Sequence, residues 1–190
     1  MDLYIPYKYG TSMRIQLITF NVDDELVKYI EKILYEILRT ESYIRRLEGL
    51  PHRLYNEYRR QYRGDLINRW LFREYTGGDV ILAILDVDAY VPPLNFVFGV
   101  ANPRLMVCSV YLPRLRIGVS REDYFIRVRK EVFHELGHIF GLGHCRDRKC
   151  VMSFSNSIVD VDNKTYKYCG RHFSQIRDRG IDISDEALLK

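Results

Sequence analysis

Residues His134 to Cys145 read HELGHIFGLGHC, and no other stretch constrains the fold of this chain as much. His134 and His138 are four residues apart, so on an α-helix they project from one face with Cβ atoms about 5–6 Å apart. Two imidazoles placed in this way can grip one metal ion, so the chain must present a helix here with space on one side. Glu135 falls beside such a metal rather than on it, where its carboxylate can take a proton from water that the metal activates. Gly141 suits the left-handed conformation that ends a helix and turns the chain. That turn can bring His144 back as a third ligand. Three neutral imidazoles leave one position of a tetrahedral zinc open to water, whose pKa falls to roughly 7. The chemistry expected is hydrolysis of an amide bond, with Glu135 as general base and proton shuttle. An HExxH core recurs by chance, but all five fixed positions should coincide in a chain of this length only about once in 10⁵ sequences.

A second constellation starts at the next residue. Cys145, Cys150 and Cys169 offer three thiolates, and His172 follows Cys169 at a spacing that often holds zinc. A closed Cys₃His site has no position for water, so its expected task is structural, pinning the loop after the helix to a C-terminal segment. Two other arrangements use the same residues: a disulfide between Cys145 and Cys150 with Cys169 free, or buried cysteines with His172 capping a helix. Because His144 and Cys145 are adjacent, loss of a structural zinc should loosen the third catalytic ligand.

The pattern HExxHxxGxxH resembles the signature of the metzincin metallopeptidases, in which a methionine follows in a tight turn beneath the zinc, and Met152 stands where that Met-turn residue would be. The run HELGHIFGLGHC, RDRK, Cys150, Val151, Met152 and later Cys169 is similar more narrowly to the archaemetzincins. In these the last ligands come as CxxC. Here CGRH replaces it, so His172 stands in place of the fourth cysteine, with one less negative charge and a different fourth bond. RRQYRGDLI at Arg59 to Ile67, LDVDAY at Leu85 to Tyr90, NFVFGVA at Asn95 to Ala101 and VMSFSNSIVDVDNK at Val151 to Lys164 also look like the family, so the resemblance covers roughly residues 55–175. It implies an α+β fold, α/β by a looser definition: a twisted mixed β-sheet packed on helices, a zinc-bearing active-site helix and a mostly irregular C-terminal part. It also implies two Zn2+ per chain, a peptide or protein substrate, and an aminopeptidase-like preference for short peptides. An edge strand of the sheet would bind the peptide as an added strand, and Leu105 to Leu112 is the candidate, with Cys108 in it as a small buried residue.

A chain of 190 residues with 47% hydrophobic content can bury one sizeable core. The expectation is a single domain, with an N-terminal part of about 13–142 and a zinc-stapled C-terminal part of about 143–190. Twenty-nine basic and 25 acidic residues give a net charge of +4, too balanced to indicate a nucleic-acid partner. MDLYIPYKYGTS at the start has no apolar core or small-residue cleavage site of a secretory signal, and no apolar run is long enough to span a bilayer. These features point to a soluble, cytoplasmic protein whose cysteines stay reduced, and a monomer is expected.

Along the chain, Met13 to Phe20 reads as a first strand. Asp23 or Asp24 caps a following helix whose Leu26, Ile30, Ile33 and Ile37 share one face. Leu54 to Tyr75 reads as further helix, broken near Gly64 and Asp65 and closed by Gly77 and Gly78. Val80 to Leu85, Phe96 to Val100 and Leu105 to Leu112 read as strands. Ser120 caps the helix that runs to about Phe140, with Glu122 and Asp123 in its first turn. After Met152 regular structure is sparse until a helix at about Gly170 to Arg179.

Several further residues carry a functional and a plainer reading, and the plainer is preferred for each. Tyr166 and Tyr168 could steady an oxyanion, but among 15 tyrosines they are expected to pack. Asp160 and Asp162 suit a turn or cap better than a cation site. His52 suits the surface or a cap, and the basic, aromatic run from Arg53 to Arg63 suits a solvated amphipathic helix. The whole chain admits two rivals to the peptidase; the first is a non-catalytic module keeping two zinc ions for structure, and Glu135 argues against it. A nucleic-acid-associated zinc protein would instead bind with strong salt dependence and be indifferent to Glu135.

Overall fold

A computed structural model describes residues 13–75 and 79–190. Strand β1 (Ile15–Phe20) leads into helix α1 (Asp24–Leu38), where the Asp23 side chain accepts a hydrogen bond from the Leu26 N–H at 2.9 Å. Strand β2 (Ser42–Arg46) and a 3-10 turn at His52–Leu54 precede the short strands β3 (Tyr55–Asn56) and β4 (Gln61–Arg63) and helix α2 (Gly64–Glu74). Strands β5 (Val80–Leu85), β6 (Ala89–Tyr90), β7 (Gly99–Asn102) and β8 (Val107–Tyr111) follow, then helices α3 (Arg121–Ile139), α4 (Ile158–Asn163) and α5 (Gly170–Asp178).

The main sheet has the order β2-β1-β5-β8-β7, parallel throughout except for β7. Every residue of β5 is buried because helices cover both faces, which is why its sequence is a continuous apolar run. Val80, Leu82 and Ile84 join the core shared with α1 and α3, whereas Ile81, Ala83 and Leu85 pack with Ile67 and Leu71 of α2. A smaller sheet of β3, β4 and β6 flanks this α+β assembly.

Two expectations need correction. The helix expected over Leu54 to Tyr75 forms only from Gly64 onward. Before it, Tyr55 and Tyr62 sit opposite each other on β3 and β4 with ring centroids 5.0 Å apart, and the Asn56 side chain accepts from the Arg59 N–H within the connecting turn. Cross-strand aromatic pairing and an Asn turn outweigh the helical reading of this run. Gly77 and Gly78, expected to close α2, lie outside the described residues. Leu105 to Leu112 is not the sheet edge: β8 lies between β5 and β7 and is buried at all five positions. The edge on that side is β7, whose four residues are half-buried.

The C-terminal part is mostly irregular, with the short helix α4 added to the expected α5. Helix α4 begins with a capping box, Ser157 accepting from the Asp160 N–H while the Asp160 carboxylate accepts from the Ser157 N–H. Asp162 pairs with both sides of the Arg127 guanidinium at 2.7 Å, so both aspartates have structural partners. His52 lies at the surface beside Glu57, 2.8 Å away. Cys108 is fully buried.

Candidate metal centre and cleft

Helix α3 brings the first two histidines to one face. Ser120 caps it by accepting from the Asp123 N–H, and Glu122 and Asp123 occupy the positive first turn. The helix stops where the sequence indicates: Gly141 has φ +81°, and the Leu142 N–H returns to Gly137 O at 2.9 Å. The chain thereby reverses and places His144 against the other two rings, with centroids 5.4 Å from His134 and 4.8 Å from His138.

The backbone fixes which nitrogens face the shared space. His134 Nδ1 lies 2.8 Å from Val151 O, and His138 Nδ1 lies 2.9 Å from Leu142 O. A carbonyl only accepts, so each Nδ1 carries the proton and each Nε2 keeps its lone pair. The two Nε2 atoms are 3.2 Å apart. Zn–N bonds of about 2.0–2.1 Å place tetrahedral neighbours at roughly 3.3 Å, so this pair fits zinc closely. One nitrogen from each of the three histidines lies within 4.8 Å of the others.

Burial drives the imidazoles towards the neutral form that ligates. It pushes His138 down to about 4, with Lys164 and His144 adding repulsion, and it lowers His134 and His144 as well. A folded pKa below the unfolded value of about 6.5 means that the unfolded chain binds the extra protons. The stability these rings contribute is therefore present above pH 6.5 and is lost as pH falls towards about 4. In metal-free protein the urea midpoint should fall across that window, and His138→Gln should flatten part of the slope. An unchanged slope in the variant would contradict this.

Glu135 lies beside the histidines and is 4% exposed. Burial raises its carboxyl well above the usual carboxylate range; Glu131 adds to the rise and Lys164 opposes it. The edge strand passes so close that a Cβ at Gly99 would overlap the Glu135 carboxylate and its Cγ. Gly99→Ala should therefore displace Glu135 and lower turnover by about 10²-fold, with zinc content intact. Wild-type turnover would contradict the contact. Met152 is fully buried against α3, and a Cβ at Gly137 would overlap its Sδ. The glycine between the two helical histidines thus leaves room for the methionine against the helix.

Cys145, Cys150, Cys169 and His172 also converge. Cys145 and Cys169 Sγ are 3.8 Å apart, and His172 Nδ1 lies 3.6 Å from Cys150 Sγ and 3.5 Å from Cys169 Sγ. With Zn–S at about 2.3 Å, tetrahedral neighbours fall near 3.8 Å for two sulfurs and near 3.6 Å for sulfur and nitrogen. The distances fit that donor set, and all four cysteines of the chain are free thiols. Burial pushes the Cys150 thiol up to about 12, so a cation is what favours its thiolate.

A cleft of about 750 Å³ opens over the three histidines. Phe96, Phe98 and Val100, on β7 and the segment before it, line the cleft together with Phe154 and Asn156, and Glu131 joins Glu135 from α3. Tyr166 and Tyr168 do not line it. Tyr168 is buried and donates to Phe133 O at 2.6 Å, while Tyr166 lies under the Arg129 guanidinium. Gly99, Gly137, Glu131 and Lys164 also shape the site, outside the motif residues. A lone glycine in an apolar strand run is a signal of close backbone approach, and it was available at Gly99.

A helix carrying two histidines, a third returned by a turn, a buried carboxylate and a methionine packed against that helix together define a metzincin-type metallopeptidase centre. Comparison with known proteins identifies the family. The model for peptidase family M54 matches residues 4–178. The archaemetzincin of Methanocaldococcus jannaschii is 38% identical over 169 residues, covering 86% of this chain and 92% of that protein. The crystal structure of archaemetzincin from Methanopyrus kandleri superposes with a TM-score of 0.81 at 36% identity, covering 90% of this chain and 96% of that one. That of Archaeoglobus fulgidus archaemetzincin, complexed with malonate, gives 0.77 at 33% identity, covering 86% and 99%. The chain belongs to peptidase family M54, the archaemetzincins, and is a zinc metallopeptidase. No helix among the described residues is long and apolar enough to cross a membrane.

Proposed function

We propose that His134, His138 and His144 hold a catalytic zinc, that Glu135 is the general base, and that Cys145, Cys150, Cys169 and His172 hold a second, structural zinc. The observation that carries this reading is the convergence of three imidazoles beside a buried carboxylate on one side of an open cleft. When bound, the catalytic zinc supplies a Lewis acid that lowers the pKa of water and polarises a carbonyl. Glu135 takes the proton from the attacking water and returns it to the leaving amine. Gly99 gives the carboxylate room, and Gly141 and Met152 position the rings. The apolar wall around Glu135 excludes bulk water and strengthens its interactions with charge that develops nearby. Strand β7, as the free edge beside the cleft, offers backbone groups to an extended peptide.

On this reading the chain works as one catalytic domain, a cytoplasmic monomer whose reduced thiols hold the second zinc, acting from the amino end of short peptides. Metal analysis tests the count: two zinc per chain in the wild type, and about one in either His138→Ala or Cys150→Ser. Paired peptides with free and acetylated amino termini test the end preference. Equal cleavage of both would replace end trimming with internal cutting.

A further inference from the structure

Lys164 closes the C-terminal end of α4, and its side chain is fully buried. An ammonium has three donors and no acceptor, and a buried one needs an opposite charge. Glu131 supplies it at 2.8 Å, from a side chain that is 3% exposed. This contact is an ion pair whose approach lies off the hydrogen-bond direction, and Glu131 Oε1 has no hydrogen-bonding partner among the described residues. The same ammonium lies 3.4 Å from His134 Nδ1 and 3.5 Å from Ser153 O. It cannot easily withdraw. Arg127 grips Asp162 through two bonds of 2.7 Å, and Lys130 donates to Val161 O and Asp162 O at 3.0 Å, fixing the segment just before it.

Two arrangements compete at His134. With the proton on Nδ1, the ring donates to Val151 O at 2.8 Å, and Nε2 keeps the lone pair that faces the other histidines. With Nδ1 bare, it can accept from Lys164 Nζ, and Nε2 then carries the proton and cannot ligate. The observed separations favour the first: 2.8 Å from ammonium to carboxylate, against 3.4 Å from ammonium to ring, which is long for such a bond. We propose that Glu131 is a positioning residue that preserves the tautomer which Val151 O selects at His134, by drawing Lys164 Nζ away from Nδ1 and so leaving Nε2 free for the metal. This rests on His134 being a zinc ligand as proposed above. Outer groups that fix a ligating histidine in this way typically contribute about 10–100-fold to metal affinity.

The test compares the full-length wild type with Glu131→Met and with Glu131→Met/Lys164→Met, reading zinc affinity by chelator competition and zinc per chain by metal analysis. Glu131→Met strands the ammonium beside the ring, and it should weaken the three-histidine site by about 10–100-fold while keeping the zinc on the cysteines. The double variant removes the competing donor along with its counterion, and an apolar pair of similar volume is tolerated where a buried ion pair stood. It should regain most of the lost affinity. Such rescue is what a merely structural role would not give, since a second buried substitution would then add damage. A double variant as weak as the single one, or wild-type affinity in Glu131→Met, overturns the proposal. If Glu131→Met does not fold, Glu131→Gln and Glu131→Gln/Lys164→Met carry the same comparison with the same two outcomes. His134→Ala separates the two levels: retention of both zinc ions there would remove the proposed ligand set itself, whereas failed rescue with normal wild-type zinc removes only the role of Glu131.

Discussion

Glu135→Ala should lose peptide hydrolysis by about 10³-fold or more, within the upper range that a positioned general base contributes, while zinc per chain stays at the wild-type value. The separation of the two readouts follows from geometry. Glu135 shares a helix with His134 and His138, but it is not among the nitrogens that converge, and each helical histidine takes its orientation from a backbone carbonyl. Removing the carboxylate therefore leaves the metal ligands held. It also removes a buried acid whose burial and proximity to Glu131 raise its pKa, so the folded variant should be no less stable. Activity assays on a peptide pool together with metal analysis check both halves. Retained hydrolysis would remove Glu135 as the base, and lost zinc would mean that it holds the metal.

Cys150→Ser should have the largest effect on stability. Cys150 is fully buried, its Sγ accepts from the Cys169 N–H at 3.3 Å, and it lies 3.6 Å from His172 Nδ1. Structural zinc adds directly to folding free energy, because the unfolded chain holds no preformed site. The variant should lose about one zinc per chain, and its Tm should fall by ten degrees or more, roughly the shift that several kcal/mol produces in a chain of this size. The catalytic centre should suffer as well. His144 is the neighbour of Cys145, and the Cys145 N–H donates to Met152 O at 2.8 Å, so the two sites share a strap of backbone. Activity at saturating zinc should fall with the structural metal. An unchanged metal count with an unchanged Tm would contradict the Cys₃His site.

The grouping of the two donor sets was more legible than the frame around it, for physical reasons. The metal-ligand spacings are local: four residues on one helix, a glycine turn and an adjacent cysteine, each set by backbone geometry within a few turns of chain. Helix α1 was legible for the same reason, its buried residues recurring at helical spacing between an Asp cap and solvent. Strand order was not. Residues 105–112 and 96–100 both read as strands, and nothing in their periodicity says which lies outside. The full burial of β8 is visible only once α2 and α3 cover it. Strand β2 is mostly exposed and shows no alternation, so its SYIRR sequence gave no signal. The short strands at Tyr55–Asn56 and Gln61–Arg63 depend on tertiary pairing, which overrode a helical pattern. Lys164 carried no sequence signal, since a lysine in a polar stretch is ordinarily solvated and its burial against Glu131 requires the fold.

The most direct measurement is cleavage of a diverse peptide mixture, read by mass spectrometry, by the zinc-loaded wild type and by His138→Ala with its cysteine-bound zinc retained. The wild type should cleave and the variant should not, because only the three-histidine site differs between them. Cleavage by His138→Ala at the wild-type rate would place the chemistry elsewhere in the molecule and contradict the account.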